Sequence, residues 1–119
     1  MAKEISSTVN LSFSKGGAAG RLVAGPTLID MTGTKFIQGV VSIGTTDESL
    51  DLSDVSPTPG LTVLQNLDAT NYVEVGVDGT NYVIKINAGE SCLFRVDGAA
   101  IHLKANTGAC LVQFLVVQS

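Results

Sequence analysis

Apolar residues in this chain recur at every second position, and hardly anywhere at helical spacing. In the C-terminal half, Val73, Val75, Tyr82, Ile84, Ile86, Cys92, Phe94, Val96, Ile101, Leu103, Cys110, Val112, Phe114 and Val116 form one such alternating set. A period of two marks a strand with one face on a core. No window keeps apolar residues at i, i+3, i+4 and i+7 for three turns. The pattern predicts strands over 5–13, 20–24, 27–31, 35–43, 48–52, 61–66, 71–77, 81–86, 90–96, 99–105 and 109–117. The expected fold is all-β: a single antiparallel β-sandwich over 1–119, with helix below about a tenth of the residues.

Turn chemistry sharpens this for the second half. Asp78-Gly79 and Asp97-Gly98 are dipeptides favoured in two-residue hairpin turns, because both positions tolerate positive φ. A turn at the first would set Val75 opposite Tyr82 and Val73 opposite Ile84. A turn at the second would set Phe94 opposite Ile101 and Cys92 opposite Leu103. A third, at Thr107-Gly108, would set Leu103 opposite Val112 and Ile101 opposite Phe114. Each register brings apolar residues together, and a slip of one residue would break the match. A jelly-roll stays open as the alternative, since its successive strands cross between sheets at such turns. The opposite face carries Glu74, Lys85, Arg95, His102, Lys104 and Gln113, but also Val83, Leu93, Leu111, Leu115 and Val117. That much apolar surface calls for a second sheet or a neighbouring subunit.

The first half is punctuated by Lys15-Gly16-Gly17-Ala18-Ala19-Gly20, a tight or flexible turn, and by the break Ser56-Pro57-Thr58-Pro59-Gly60. The break joins two parts of one fold, because neither side alone holds enough residues for a sizeable core. Residues 1–20 suit an extended N-terminal arm. Within it, Ala2–Phe13 has two readings: a strand added to a neighbour's sheet edge, or an ordinary first strand of its own fold.

Composition narrows the function classes. Hydrophobic residues make up 45% and charged residues 15%, which is sparse for a wholly solvated surface. The net charge is −4 and the seven basic residues are scattered, so nucleic-acid binding through phosphates is not expected. No apolar stretch reaches the length of a membrane helix. Met1-Ala2-Lys3-Glu4 leads straight into polar residues, so the expectation is synthesis in the cytoplasm without a signal peptide.

Candidate chemistry is thin. His102 is the only histidine, so no His–His site forms within one chain, and it should lie on the polar face beside Lys104. Cys92 as a nucleophile needs a nearby base, and the register sends His102 to the other face. Cys92 and Cys110 read as buried structural thiols, and a cytosolic origin argues against a disulfide. Asp47, Glu48, Asp51 and Asp54 form an acidic cluster whose spacing is not that of an EF-hand, and a solvated loop is the simpler reading of it than a cation site. Gly16, Gly17 and Gly20 lack the Lys-Ser/Thr pair and the helix of a phosphate loop. Six aromatic residues without tryptophan make a poor stacking platform for sugars or bases. No catalytic, cofactor-binding or metal-binding residue is assigned, and no cofactor is expected.

Three strings carry a likeness: Asn66-Leu67-Asp68-Ala69-Thr70-Asn71-Tyr72-Val73 within 60–73, Ala88-Gly89-Glu90 within 88–95, and Lys104-Ala105-Asn106 within 101–106. They resemble small β-rich structural proteins of tailed bacteriophages, over about half the chain. Read physically, Asn66, Asp68 and Asn71 fix a turn between two strands, and Gly89 and Gly108 each tighten a turn into the next strand. The resemblance implies a non-enzymatic virion protein. The leading expectation is a capsid cement (decoration) protein on the outside of the head, with the major capsid protein as partner. It would be a homo-oligomer, a trimer before a dimer, and would bind neither nucleic acid nor membrane. A tail, collar or head-fibre subunit is the alternative within that class. A small lectin-like binding module is the alternative of another class.

Overall fold

The computed structural model describes residues 3–55 and 59–119, without the side chain of Asp54. Met1, Ala2 and Ser56–Thr58 lie outside the described residues, so of the expected break only Pro59 and Gly60 are seen, both buried. Strand accounts for 56% of the chain. The single helical element among the described residues is the 3-10 turn Ser53–Val55. The fold is all-β and antiparallel, as the alternation requires.

The residues fall into two compact units, one reaching to Thr32 and one from Gly33 to Gln118. The first is a β-hairpin, β1 (Ile5–Lys15) against β2 (Ala18–Ile29). The arm is therefore longer than residues 1–20, and its first strand pairs within the chain. The strands expected separately over 20–24 and 27–31 are one, interrupted by a register shift at Ser7/Val9 opposite Gly25-Pro26.

The second unit holds β3 (Phe36–Ile43), β4 (Glu48–Ser49), β5 (Thr62–Asn66), β6 (Val73–Gly76), β7 (Tyr82–Ile86), β8 (Ser91–Phe94), β9 (His102–Ala105) and β10 (Cys110–Val117). They form two four-stranded sheets, ordered β3-β10-β5-β8 and β4-β9-β6-β7. Pairing is nested: β3 with β10, β4 with β9, β5 with β8 and β6 with β7. The unit is thus one long antiparallel double strand, bent at the β6–β7 loop and wound so that successive pairs lie in alternate sheets. The lateral pairs β10–β5 and β6–β9 close each sheet. This is jelly-roll winding, the alternative left open by the sequence.

Two of the three expected hairpins are consequently absent. β8 and β9 lie in different sheets, and so do β9 and β10. Asp97-Gly98 and Thr107-Gly108 sit in connections that cross the core instead. The inner face survives this correction, because a residue that would face inward in a hairpin also faces inward across a sandwich. Val73, Val75, Ile86, Ile101, Leu103, Cys110, Val112 and Val116 are buried, with Ile84, Cys92, Phe94, Val96 and Phe114 packed against them. Ile43, Leu50, Leu52 and Val55 from the first half, with Leu64 and Ala105, complete the cluster.

Tyr82 is the exception. The β6–β7 hairpin pairs Val75 with Ile84 and Gly76 with Tyr82, with a register shift between Val75 and Gly76. The loop is longer than two residues because the Asp78 carboxylate accepts from the Thr80 and Asn81 N–H groups, at 2.8 and 2.7 Å, and so builds its own turn. A Cβ on Gly76 would come within 2.1 Å of the Asn81 carbonyl oxygen, so only glycine permits this close crossing. The shift turns Tyr82 out of the core.

Candidate functional site

The jelly-roll segregates what the alternation had merged into a single outer face. Strands β3, β5, β8 and β10 read FIQGVVSI, TVLQN, SCLF and CLVQFLVV, without one charged residue. The outward residues of that sheet include Phe36, Val40, Val63 and Leu111, all exposed, interleaved with Gln38, Gln65 and Gln113. The other sheet carries Glu48, Glu74, Lys85, His102 and Lys104 on its strands. One sheet thus carries the charged side chains, and the strands of the other carry none.

On the charged face, Tyr82, Asp47 and His102 meet. The Tyr82 hydroxyl donates to Asp47 Oδ1, and His102 Nδ1 lies 3.1 and 3.0 Å from the two Asp47 oxygens. Lys104 Nζ stands 4.7 Å from the centre of the Tyr82 ring, and Lys85 Nζ stands 4.2 Å from that of Tyr72. The hydrogen bonds from Tyr82, then from His102, hold the Asp47 carboxyl below its ordinary 3.8. Burial first, and the bond to Asp47 second, push the Tyr82 phenol up to about 12. His102 therefore lies beside Lys104 as expected, but its partner was not legible: Asp47 and Tyr82 are 55 and 20 positions away in sequence.

This grouping fixes a pH window. Asp47, whose pKa is depressed, contributes stability above pH 3.8 that is lost as pH falls. Tyr82, whose pKa is raised, contributes stability below pH 10.0 that is lost as pH rises toward 12. Spectrophotometric titration should show a tyrosinate component with its midpoint near pH 12, absent from Tyr82→Phe. A wild-type titration without that component would show that Tyr82 is neither buried nor bonded to Asp47 as described.

The acidic cluster disperses. Asp47 belongs to the group above, Glu48 accepts from the Gly44 N–H at 2.5 Å, and Asp51 accepts from the Ser53 N–H at 3.0 Å. Asp54 lies outside the described side chains. Among the described residues, no group of three metal-ligating side chains assembles. A shallow hollow of about 390 Å³ beside Leu50 and Ala99 has Asp51 as its only ionisable lining residue among the described ones.

Cys92 lies on β8 in one sheet and His102 on β9 in the other. Both cysteines are free, and burial pushes both thiols up, which disfavours the thiolate. β5 stands between the strands of Cys92 and Cys110. Two strand spacings, roughly 9–10 Å, exceed the reach of a disulfide. Gly16 and Gly17 form the tip of the arm hairpin, both at positive φ, and Gly20 lies under the Phe13 ring. They make a turn, with no helix behind it.

The three strings behind the family likeness converge in space. Asn66 is fully buried; its Nδ2 donates to the Asn71 and Ile86 carbonyls at 2.9 and 3.1 Å, and its Oδ1 accepts from the Asp68 N–H at 3.0 Å. Asp68 in turn accepts from the N–H groups of Asn71, then Thr70, which lower its pKa. The Ala88-Gly89-Glu90 turn is held to the same residue, through Gly89 N to Asn66 O at 3.0 Å and Asn66 N to Glu90 O at 2.9 Å. Gly89 has φ +79°, which only glycine adopts cheaply. Asn106, ending the third string, exchanges bonds with the Tyr72 backbone: Oδ1 accepts at 2.9 Å and N donates at 3.1 Å. Gly108 packs beneath Asn71, where a Cβ would meet Nδ2 at 3.0 Å. These residues lash loops from three parts of the chain together, a role in architecture.

Comparison of the sequence with known families and curated proteins, and of the fold with solved structures, returns no match. No helix among the described residues is long and apolar enough to cross a membrane.

Proposed function

We propose that this chain is a non-enzymatic structural subunit of a tailed-phage virion, a cement protein that binds the outside of the assembled head. The observation that carries the reading is the charge-free outer face of the β3-β10-β5-β8 sheet. It is a surface suited to protein contact, set on a small rigid jelly-roll whose other face is charged. The phage-like strings supply the choice of particle. A subunit that binds only the assembled shell stabilises that shell by linkage, and many copies add their effects. The hairpin arm, with both strand edges unpaired, adds a means of pairing with a strand of the major capsid protein.

Particles lacking the protein should assemble but release packaged DNA at a lower temperature than complete ones. The difference should persist largely from low to high salt, because the strands of the contact face carry no charges to screen. Equal release temperatures would end the cement reading. Intact heads with lost tails or infectivity would install the tail, collar or head-fibre subunit in its place.

A further inference from the structure

We infer that the flank of the sandwich between β7 and β8 is a pocket for one aromatic ring, and that the ring it takes is Phe13 on the arm of a second copy. β7 and β8 are the outer strands of the two sheets. Between them lies a cavity of about 190 Å³, walled by Val75 of the core and by Ile84, Phe94 and Val96 packed against it. Tyr82 and Ile84 pair with the consecutive residues Gly76 and Val75, so Val83 is the extra residue of a β-bulge. Val83 lines the pocket while 82% exposed, and Val77, 44% exposed, lines it too. An apolar cavity of about 150 Å³ accepts one benzene, whereas drug-sized ligands and cofactors need roughly 300 Å³ or more. The size selects a single ring.

Exposure and charge choose the occupant. Two of the four phenylalanines are exposed, Phe13 at 59% and Phe36 at 58%. Phe36 belongs to the charge-free sheet, which the reading above gives to the shell. Phe13 stands on the arm, its ring over Gly20, where a Cβ would meet it at 2.6 Å. Residues 5–29 carry Lys15 and Arg21 and no acid, in a chain of net charge −4. Lys15 lies two positions beyond Phe13, on the same side of the ribbon. Among the described residues, the ionisable lining of the pocket is Arg95 and Asp97, and Asp78 directly follows Val77. Two carboxylates to one guanidinium suit a ring that arrives with a lysine. An aromatic anchor in a pocket is the kind of contact that dominates a protein interface. The contact runs head to tail, arm to flank. It leaves the β3-β10-β5-β8 face and the strand edges of the arm open to the shell.

Sedimentation of the full chain at micromolar concentration tests the contact, and benzene tests the pocket. The wild type should sediment above the mass of a monomer. Phe13→Ser on the arm, and separately Val83→Lys at the pocket, should each sediment as monomers. Mixing the two variants should restore a one-to-one dimer, since one intact arm and one intact pocket remain between them. Benzene added to the Phe13→Ser variant should shift the methyl NMR signals of Val75, Val83 and Ile84 and saturate. A monomeric wild type overturns the inference, even if it binds benzene, because the ring would then come from another protein. Either variant keeping the wild-type mass overturns it too, as does a pocket whose methyl signals ignore benzene. Circular dichroism checks strand content, and Val83→Ser replaces a Val83→Lys variant that fails to fold, with the same expected loss of mass. DNA release from particles does not enter this test, so the cement reading and the ring pocket fail separately.

Discussion

Asn66→Ala should destabilise the jelly-roll unit by about 3–5 kcal/mol, the combined effect of one emptied site and several stranded polar groups. Asn66 is fully buried, and its side chain serves three backbone groups at once, the Asn71 and Ile86 carbonyls and the Asp68 N–H. The Ile86 carbonyl is the critical one, since that bond is buried and water cannot easily replace it. Asn66→Asp is the sharper variant. It keeps an acceptor for Asp68 but replaces the donor with a carboxylate oxygen facing two carbonyl oxygens, so at neutral pH it should be no more stable than the alanine variant. Urea unfolding measures both. A loss below about 1 kcal/mol for Asn66→Ala would mean that the three loops hold each other through backbone bonds alone.

Leu103→Ala should cost about 2–5 kcal/mol, and its value lies in a graded comparison. Leu103 is fully buried at the middle of β9, between Glu48 of β4 and Val75 of β6 in register. Phe114, on the inner side of β10, is only partly buried against the same cluster. Phe114→Ala should therefore fall below the roughly 3–5 kcal/mol of a fully buried phenylalanine. Val83 is 82% exposed, and Val83→Ala should stay within about 0.5 kcal/mol. Unfolding midpoints should rank the three in that order. A Leu103 variant as stable as the Val83 variant would refute the packing of the two sheets.

Much of the element plan was legible. Strand ends at 36–43, 62–66, 82–86 and 110–117 fall within a residue of the alternation, because each strand has one face on a common core. The turn-making roles of Asp68 and Gly89, and the Asn66 bonds to Asn71 and Asp68, were legible as well, since they act on backbone within a few positions; the Asn66 bond to Ile86 and the Asn71 bond to Thr107 span 20 and 36 positions and were not. What failed was local in a different sense. Asp78-Gly79 was expected to make the tightest possible turn, but the Asp78 carboxylate captured two N–H groups and widened it. That moved Tyr82 to the outside, where it found Asp47.

The sequence by itself determined that this protein is all-β, which residues other than Tyr82 face inward, and that Asp68 and Gly89 shape their own turns. These follow from a two-residue period and from bonds made over short separations. It could not determine which strands are neighbours. Phe94 and Ile101 face inward whether they lie side by side in a hairpin or confront each other across a sandwich, so the alternation is the same in both cases. Only the tertiary structure decided between them, and in doing so it sorted the outward residues. Winding successive pairs into alternate sheets put Glu74, Lys85, His102 and Lys104 on one side and Val40, Val63 and Leu111 on the other. A charge-free face exists because the strands without charges share a sheet, and sharing a sheet is a matter of hydrogen bonds between residues as far apart as Phe36 and Val117.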